Sequence, residues 1–264
     1  MKITTKDIKK GGKPIVMLTS YTAPMTKIMD PLVDIILVGD SLGMTIYGFD
    51  STKKVTLDMM IAHAEAVARC ASHALVVFDM PYATYDTPKQ ALESVRRVQK
   101  ETKCDAFKLE GGVEMAPTVK YLVDNGVAVM GHIGLMPQSV EAGKFIIQGR
   151  NDESMKKVMA DAKAIEAAGA FSVVIEGTLE PVAHDITDAI SIPTIGIGAS
   201  PACDGQVLVI DDIIGTFWDF TPKFIKRYAV LRPLIEKAVA EYADEVRART
   251  FPTIDHCFLP KKEG

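Results

Sequence analysis

The chain has 264 residues, of which 48% are hydrophobic, so it can bury the core of one large domain or of two smaller ones. Its formal net charge of -4 and its pI near 5.8 provide no general attraction to phosphate backbones. No segment combines runs of Lys or Arg with interleaved aromatic residues. We therefore expect no nucleic-acid partner.

The longest apolar runs, such as IILVG and ALVVF, are far shorter than the roughly 20 residues that span a bilayer. The segment MKITTKDIKKGGKP lacks the apolar stretch of a signal peptide. We expect a cytoplasmic protein with no membrane association. The four cysteines, at positions 70, 104, 203 and 257, form no CxxC pair, which indicates free thiols rather than disulfides or a cysteine zinc site.

Short apolar runs recur along the chain, mostly continuous rather than alternating, which is typical of parallel strands covered on both faces. They occupy residues 14–20, 34–40, 74–80, 104–110, 127–132, 171–176, 192–198 and 205–210. The segments between them have helical periodicity. Eight strands alternating with helices predict a (β/α)8 TIM barrel rather than a doubly wound sheet, which more often has about five or six strands.

Two helices have clear starting signals. Thr87, Pro88 and Gln90 supply an N-cap, a proline for the first helical position and the glutamine of a capping box. A second helix is expected from about Asp152, with Gly169 as its terminator.

The C-terminal stretch, from about Asp219 to Thr250, is predicted to continue as helix with only Pro233 interrupting it. We expect it to pack outside the barrel or against a partner subunit. No linker, repeat or change of composition divides the chain, so residues 1–264 are predicted to form a single domain.

Polar side chains follow predicted strands two to six, at the point where each strand ends: Asp40, Asp79, Glu110, His132 and Glu176. In a parallel barrel the carboxyl ends of all strands lie on one face, where the catalytic residues of such enzymes are found. The sequence therefore predicts an active site there.

Asp40, Asp79 and Glu110 follow adjacent strands and should repel one another, since two unit charges about 4 Å apart cost roughly 4 kcal/mol at an effective dielectric near 20. A hard divalent cation would offset this repulsion. Oxygen ligands without a nearby cysteine favour magnesium over zinc, with one ion in the subunit. Alternatively, each acid pairs with a Lys or Arg at the barrel mouth or is solvated.

Lys108 precedes Glu110 by two residues, so both side chains point to the same side of their strand. Lys108 could bind a substrate carboxylate or form a structural ion pair. Glu176 is expected to have a pKa raised by partial desolvation and to act as a general base, or else to form a salt bridge at the mouth. His132 could be a structural histidine or an accessory site residue.

Several motifs together resemble the ketopantoate hydroxymethyltransferase family over nearly the whole chain. They are VGDSLGM (38–44), DMPY (79–82), FKLEGG (107–112), GHIGLMPQS (131–139), the glutamate of VVIEG (173–177), GIGA followed by DGQVLV (196–209), TPKF (221–224) and the late histidine of PTIDHCF. The sequence departs from the family pattern at two places, which we expect to change the shape of the active-site wall rather than the chemistry. EGTLEP stands where many members have Glu, a small residue, Val and Pro, and GAS stands where GAG is usual.

The resemblance implies a magnesium-dependent barrel enzyme of pantothenate biosynthesis. Such an enzyme transfers a hydroxymethyl unit from 5,10-methylenetetrahydrofolate to 3-methyl-2-oxobutanoate, giving 2-dehydropantoate through a metal-stabilised enolate. It also implies homodecamers built from pentameric rings. The resemblance also implies roles by position. The family's metal-binding acids correspond to Asp40, Asp79 and Glu110, and its oxo-acid contacts correspond to Asp40, Ser41, Asp79 and Lys108. Its proton acceptor corresponds to Glu176.

Two alternatives to this function stay open. A lyase or mutase of the phosphoenolpyruvate mutase and isocitrate lyase type also combines a barrel, magnesium and 2-oxo acids, but it typically has a catalytic cysteine in a KKCGH-like loop, which has no counterpart here. A barrel that merely binds an oxo acid or a partner would be expected to have lost some of the acids that this chain retains.

Overall fold

The computed structural model describes residues 1–139, 146–217 and 221–260. Its centre is a closed barrel of eight parallel strands in sequential order. The strands are β1 (Ile15–Thr19), β2 (Ile35–Val38), β3 (Leu75–Asp79), β4 (Ala106–Glu110), β5 (Val129–Gly134), β6 (Ser172–Glu176), β7 (Thr194–Ile197) and β8 (Gly205–Leu208). Seven of the predicted apolar runs contain one whole strand each, the run at 127–132 contains β5 except for its last two residues, and the predicted (β/α)8 barrel is confirmed.

The barrel closes where β8 pairs with β1, with Gly205 opposite Ile15. A side chain at position 205 would not fit, because a Cβ atom there would lie 2.5 Å from the Ile15 carbonyl oxygen. The interior is filled by side chains that alternate along the strands: Ile15, Met17, Ile35, Leu37, Leu75, Val77, Ala106, Met130, Val174, Ile195 and Val207.

The helices are α1 (Ala23–Met29), α2 (Leu42–Thr45), α3 (Leu57–Cys70), α4 (Pro88–Glu101), α5 (Ala116–Asp124), α6 (Asp152–Ala167), α7 (Glu180–Ala189), α8 (Ile210–Ile214) and α9 (Arg232–Ala248). The Thr87 side chain caps α4 by accepting from Gln90 N at 3.2 Å, whereas the Gln90 side chain accepts from Asp86 N rather than from Thr87. In the described part of the chain, no helix is long and apolar enough to cross a bilayer.

The prediction of a continuous C-terminal helix was wrong between residues 221 and 231, which are not helical. Helix α9 begins at Arg232, and Pro233 lies in its first turn. Proline is tolerated there because the backbone N–H groups of a first turn have no partner within the helix. Pro233 therefore begins the helix rather than interrupting it, and Asp219 lies outside the described residues.

Contacts divide the chain into two compact units. The barrel unit comprises Met1–Ile210 and Pro222–Ile225, and the second unit comprises Asp211–Thr221 and Lys226–Gly264. In the second unit, α9 has exposed apolar side chains at Leu234, Ile235, Val239, Tyr242 and Val246.

At the amino ends of the strands, aspartates accept hydrogen bonds from the backbone of the preceding strand. Asp34, Asp105 and Asp204 each stand directly before a strand (β2, β4 and β8). Their carboxylates accept from Val16 N at 2.8 Å, Val76 N at 2.8 Å and Thr194 N at 3.0 Å, respectively. These bonds pair backbone donors at the barrel floor and tie neighbouring strands together.

Asp30, which follows α1, accepts more hydrogen bonds than these three aspartates, and its donors lie in the segment before β3. Its carboxylate accepts from the backbone N–H groups of Ser72, His73 and Ala74 at 2.8 to 3.0 Å, and from the Ser72 hydroxyl at 3.0 Å. Burial raises the pKa of Asp30, but these hydrogen bonds outweigh it and hold the pKa below its ordinary value.

Candidate active site

Five ionisable side chains lie at the carboxyl end of the barrel interior because they continue the inward-facing series of their strands. Residues two apart on a strand share a face, so Asp79 points into the barrel like Leu75 and Val77 before it. In the same way Lys108 and Glu110 share the inward face with Ala106, His132 shares it with Met130, and Glu176 shares it with Val174. Only 2% to 5% of the surface of Asp79, Lys108, Glu110 and His132 is exposed.

Lys108 lies at the centre of this group. Its Nζ is 2.7 Å from Asp79 Oδ1 and 3.1 Å from His132 Nδ1. Burial lowers the pKa of Lys108, but the carboxylates of Asp79, Glu110 and Asp40 outweigh it and raise the pKa above its ordinary value. Lys108 is therefore a cation that forms an ion pair with Asp79 in this structure, one of the two arrangements that the sequence left open.

The contacts of His132 determine which of its ring nitrogens carries the proton. Burial, and secondly the charge of Lys108, lower the pKa of His132 well below its ordinary value, so the ring is neutral. Because an ammonium group can only donate, Nδ1 must accept from Lys108. The proton is then on Nε2, which lies 3.2 Å from Glu176 Oε2, although the contact is not aligned as a hydrogen bond.

Glu176 is the last residue of β6, and 18% of its side-chain surface is exposed. Burial raises the pKa of Glu176 to about 7, against the opposing effect of the Lys108 charge. A base whose pKa lies near neutral pH can both take up and release a proton under physiological conditions. Its partial exposure leaves a face that a substrate could reach.

Asp40 follows β2 and is 6% exposed. Its backbone N–H lies 3.3 Å from Asp79 Oδ2, which brings the ends of β2 and β3 together. The neighbouring Ser41 contacts the Tyr21 hydroxyl through its Oγ at 2.8 Å.

Gln138 is a site residue to which the sequence analysis gave no role. Its side-chain Nε2 donates to Asp40 Oδ2 at 2.8 Å, and its backbone N–H donates to Glu110 Oε2 at 3.0 Å. It therefore bridges two of the three acids. The available signal was its place as a polar residue directly after GHIGLMP, the apolar stretch that begins in β5 and continues past its end.

The three acids fit a hard divalent cation by their charge and chemistry. Burial raises the pKa of Asp79 to about 7 and that of Glu110 well above its ordinary value, and repulsion from Asp40 adds to both shifts, although Lys108 opposes them. Among the residues that the structure describes, no three His, Cys, Asp or Glu side chains are grouped so that they could hold a metal ion. A Mg²⁺ ion usually keeps several waters and takes one or two protein carboxylates directly, so the remaining acid would balance its charge through water.

Fold and site together define a (β/α)8-barrel enzyme with acid–base groups at the carboxyl ends of its strands. The family model described as "Ketopantoate hydroxymethyltransferase" matches residues 2–254. A protein of Paramagnetospirillum magneticum named "3-methyl-2-oxobutanoate hydroxymethyltransferase" is 59% identical over 261 residues, covering 97% of this chain and 95% of its own. The chain belongs to the ketopantoate hydroxymethyltransferase family and is a transferase, as the sequence motifs predicted.

Solved structures with a similar fold are far more distant in sequence. A putative phosphonomutase from Burkholderia cenocepacia is 15% identical, with a TM-score of 0.61, and the match covers 92% of this chain and 96% of that one. A 2,3-dimethylmalate lyase of the PEP mutase/isocitrate lyase superfamily is 16% identical, with a TM-score of 0.58 and coverages of 97% and 88%. These similarities show the fold alone and give no support to the lyase or mutase alternative.

Proposed function

We propose that this enzyme transfers a hydroxymethyl unit from 5,10-methylenetetrahydrofolate to 3-methyl-2-oxobutanoate, giving 2-dehydropantoate for pantothenate and coenzyme A biosynthesis. The family membership supports the overall reaction. The observation that carries the chemistry is Glu176, a carboxylate with a pKa of about 7 that faces a buried group of acids and one lysine.

In this proposal Glu176 removes the proton from C3 of the oxo acid. His132 Nε2 lies 3.2 Å from Glu176 Oε2, and a small reorientation of the ring would let its N–H hold the carboxylate in place as its charge changes. Lys108 would exchange part of its contact with Asp79 for the carboxylate of the substrate, and the Ser41 hydroxyl would bind another substrate oxygen.

We assign Asp40, Asp79 and Glu110 to the binding of one Mg²⁺, with water and substrate oxygens as its other ligands. When bound, the cation draws electron density from the ketone and so makes the neighbouring C3 proton more acidic. Lys108 keeps a positive charge beside the acids. The C3 carbanion then forms a bond to the methylene carbon of the folate as one of its two C–N bonds breaks. Water displaces the second folate nitrogen and becomes the hydroxyl of the new group, and the two nitrogens of the released tetrahydrofolate take up the proton from C3 and one from water.

A product assay tests the proposal directly. Purified enzyme, Mg²⁺, 3-methyl-2-oxobutanoate and methylenetetrahydrofolate should yield 2-dehydropantoate, detected by mass spectrometry. Omission of any one component should abolish product formation. Cleavage of the oxo acid without folate would instead indicate a lyase, and binding without turnover would indicate a non-catalytic barrel.

We also propose a homodecamer in the cytoplasm. The exposed apolar side chains of α9 support self-association, since contiguous apolar surface commonly marks an interface. Light scattering at micromolar concentration should give a mass far above the 28.7 kDa of one chain. A species of 28.7 kDa would contradict self-association.

A further inference from the structure

Gln138 lies in the loop after β5 with only 3% of its surface exposed, and both the nitrogen and the oxygen of its side-chain amide are hydrogen-bonded. Its Nε2 donates to Asp40 Oδ2 at 2.8 Å and to the Met80 carbonyl oxygen at 3.0 Å. Its Oε1 accepts from the Tyr85 hydroxyl at 2.5 Å, and its backbone N–H donates to Glu110 Oε2 at 3.0 Å. One residue thus links the segments that follow β2, β3 and β4.

The orientation of the Gln138 amide is fixed by its partners. The Met80 carbonyl and the Asp40 carboxylate oxygen can only accept hydrogen bonds, so the NH₂ group must face them. The Tyr85 hydroxyl then donates to Oε1 on the other side. A flipped amide would set its oxygen against two other acceptors, and a buried polar group left in that arrangement is costly.

Gln138 limits the orientation of both carboxylates that it contacts. Gln138 occupies one oxygen of Asp40 and one oxygen of Glu110. The other oxygen of each carboxylate is left with a defined direction. We infer that Gln138 is a positioning residue, held by Tyr85, which orients Asp40 and Glu110 so that their remaining oxygens can face one divalent cation. The inference rests on the proposed Mg²⁺ site.

The main test is Gln138→Met in the full chain. Methionine has a similar volume and keeps the backbone N–H bond to Glu110, but it removes the three side-chain hydrogen bonds. Titration of metal-free protein with Mg²⁺ in a calorimeter should show affinity reduced by roughly 10- to 100-fold, the usual effect of removing a residue that orients metal ligands. At saturating Mg²⁺, kcat should recover most of its wild-type value.

Two further variants control this test. Tyr85→Phe removes only the hydroxyl that fixes the amide, so it should weaken Mg²⁺ binding in the same direction but less than Gln138→Met. Gln206→Met is the matched control, because the Gln206 amide donates to the Ser200 carbonyl oxygen at 2.9 Å rather than to a carboxylate. It should bind Mg²⁺ as the wild type does.

Circular dichroism checks that each variant is folded, and Tyr85→Phe decides the question if Gln138→Met is not. Wild-type Mg²⁺ affinity in a folded Gln138→Met protein would overturn the inference while leaving the proposed function intact. If the wild type itself neither binds Mg²⁺ nor forms product, the proposed function fails and the inference fails with it.

Discussion

Asp30, at the amino ends of the strands, accepts hydrogen bonds from three successive backbone N–H groups, whereas Glu176, at the carboxyl ends, is half-buried beside the His132 side chain. The consequence is opposite pKa shifts. The pKa of Asp30 lies below its ordinary value, and burial raises that of Glu176 to about 7. The same functional group therefore stabilises the fold at one end and is kept chemically reactive at the other.

The difference depends on the hydrogen-bond donors around each carboxylate as well as on its burial. Backbone N–H groups at the barrel floor compensate for lost hydration, as for Asp34, Asp105 and Asp204. At the mouth, Asp79 and Glu110 have one lysine between them and a third acid nearby, so burial is only partly compensated. Negative charge that is only partly compensated is what a cation would bind.

The largest expected effect concerns Glu176. With Mg²⁺ and 3-methyl-2-oxobutanoate in heavy water, without folate, the enzyme should exchange the C3 proton for deuterium faster than Mg²⁺ alone. Glu176→Gln keeps the shape but removes the base, so exchange should fall by roughly 10² or more. NMR of the oxo acid measures the rate.

Asp105→Asn, at the opposite end of the barrel, is the control and should exchange the proton at the wild-type rate. If Glu176→Gln also did so, Glu176 would lose its assigned role, and His132 would be the next candidate for the base.

Asp79→Asn should weaken binding of Mg²⁺ and oxo acid by roughly 10- to 100-fold, because it removes a charge that balances the cation. Calorimetry measures both affinities. The free energy of unfolding of the metal-free protein at pH 8 should be unchanged or higher, since the raised pKa of Asp79 means that its ionisation costs stability as pH rises through about 7. Unchanged Mg²⁺ affinity would place Asp79 outside the metal site.

The next largest effect concerns the pH dependence of C3 proton exchange and of stability, both of which should follow the raised pKa of Glu176. Below the pKa of Glu176, C3 exchange should rise about tenfold per pH unit and level off above about pH 7. Stability of the metal-free protein should fall over the interval from 4.5, the ordinary pKa of the group, to about 7, because the folded state holds the proton more tightly. Denaturant titrations at several pH values measure this loss, which Glu176→Gln should reduce.

Asp30→Asn should lower the free energy of unfolding by about 1 to 2 kcal/mol, because an amide replaces a charged acceptor of several backbone hydrogen bonds. The pKa of Asp30 is depressed, so its contribution is present at neutral pH and is lost only as the pH falls below about 3.8. Urea unfolding measures the change. A variant as stable as the wild type would remove the basis for the comparison.

The smallest effect concerns Glu180, an acid outside the group formed by Asp40, Asp79 and Glu110. The Ser200 hydroxyl donates to Glu180 Oε1 at 2.8 Å, so the two departures from the family pattern, EGTLEP and GAS, contact each other. A double-mutant cycle of Glu180→Ala and Ser200→Gly should give a coupling of about 0.5 to 1 kcal/mol in unfolding experiments. Coupling indistinguishable from zero would show that the two departures are independent.

The sequence predicted the barrel well because strands buried on both faces are continuous apolar runs. It also predicted that the polar residues following five of these runs lie on one face of the barrel, whereas their catalytic and metal-binding roles stay predictions. It missed Gln138, which lies in a loop without periodicity and acts through contacts with Asp40 and Glu110, far away in the chain. The proton position on His132 was equally inaccessible, since it depends on Lys108 from the adjacent strand. Pro233 was misread because a proline's effect depends on which helical turn contains it.

The aspartates at the barrel floor also have a consequence for the order of folding. Asp34, Asp105 and Asp204 join positions only 18, 29 and 10 residues apart, respectively, all within consecutive strands. Closing the ring through Ile15 and Gly205 joins positions 205 − 15 = 190 residues apart. Chain entropy opposes the long closure more, by about 0.6 kcal/mol for each doubling of length. We therefore expect three strand pairs to form as local units, and the contact between the first and last strands to form late.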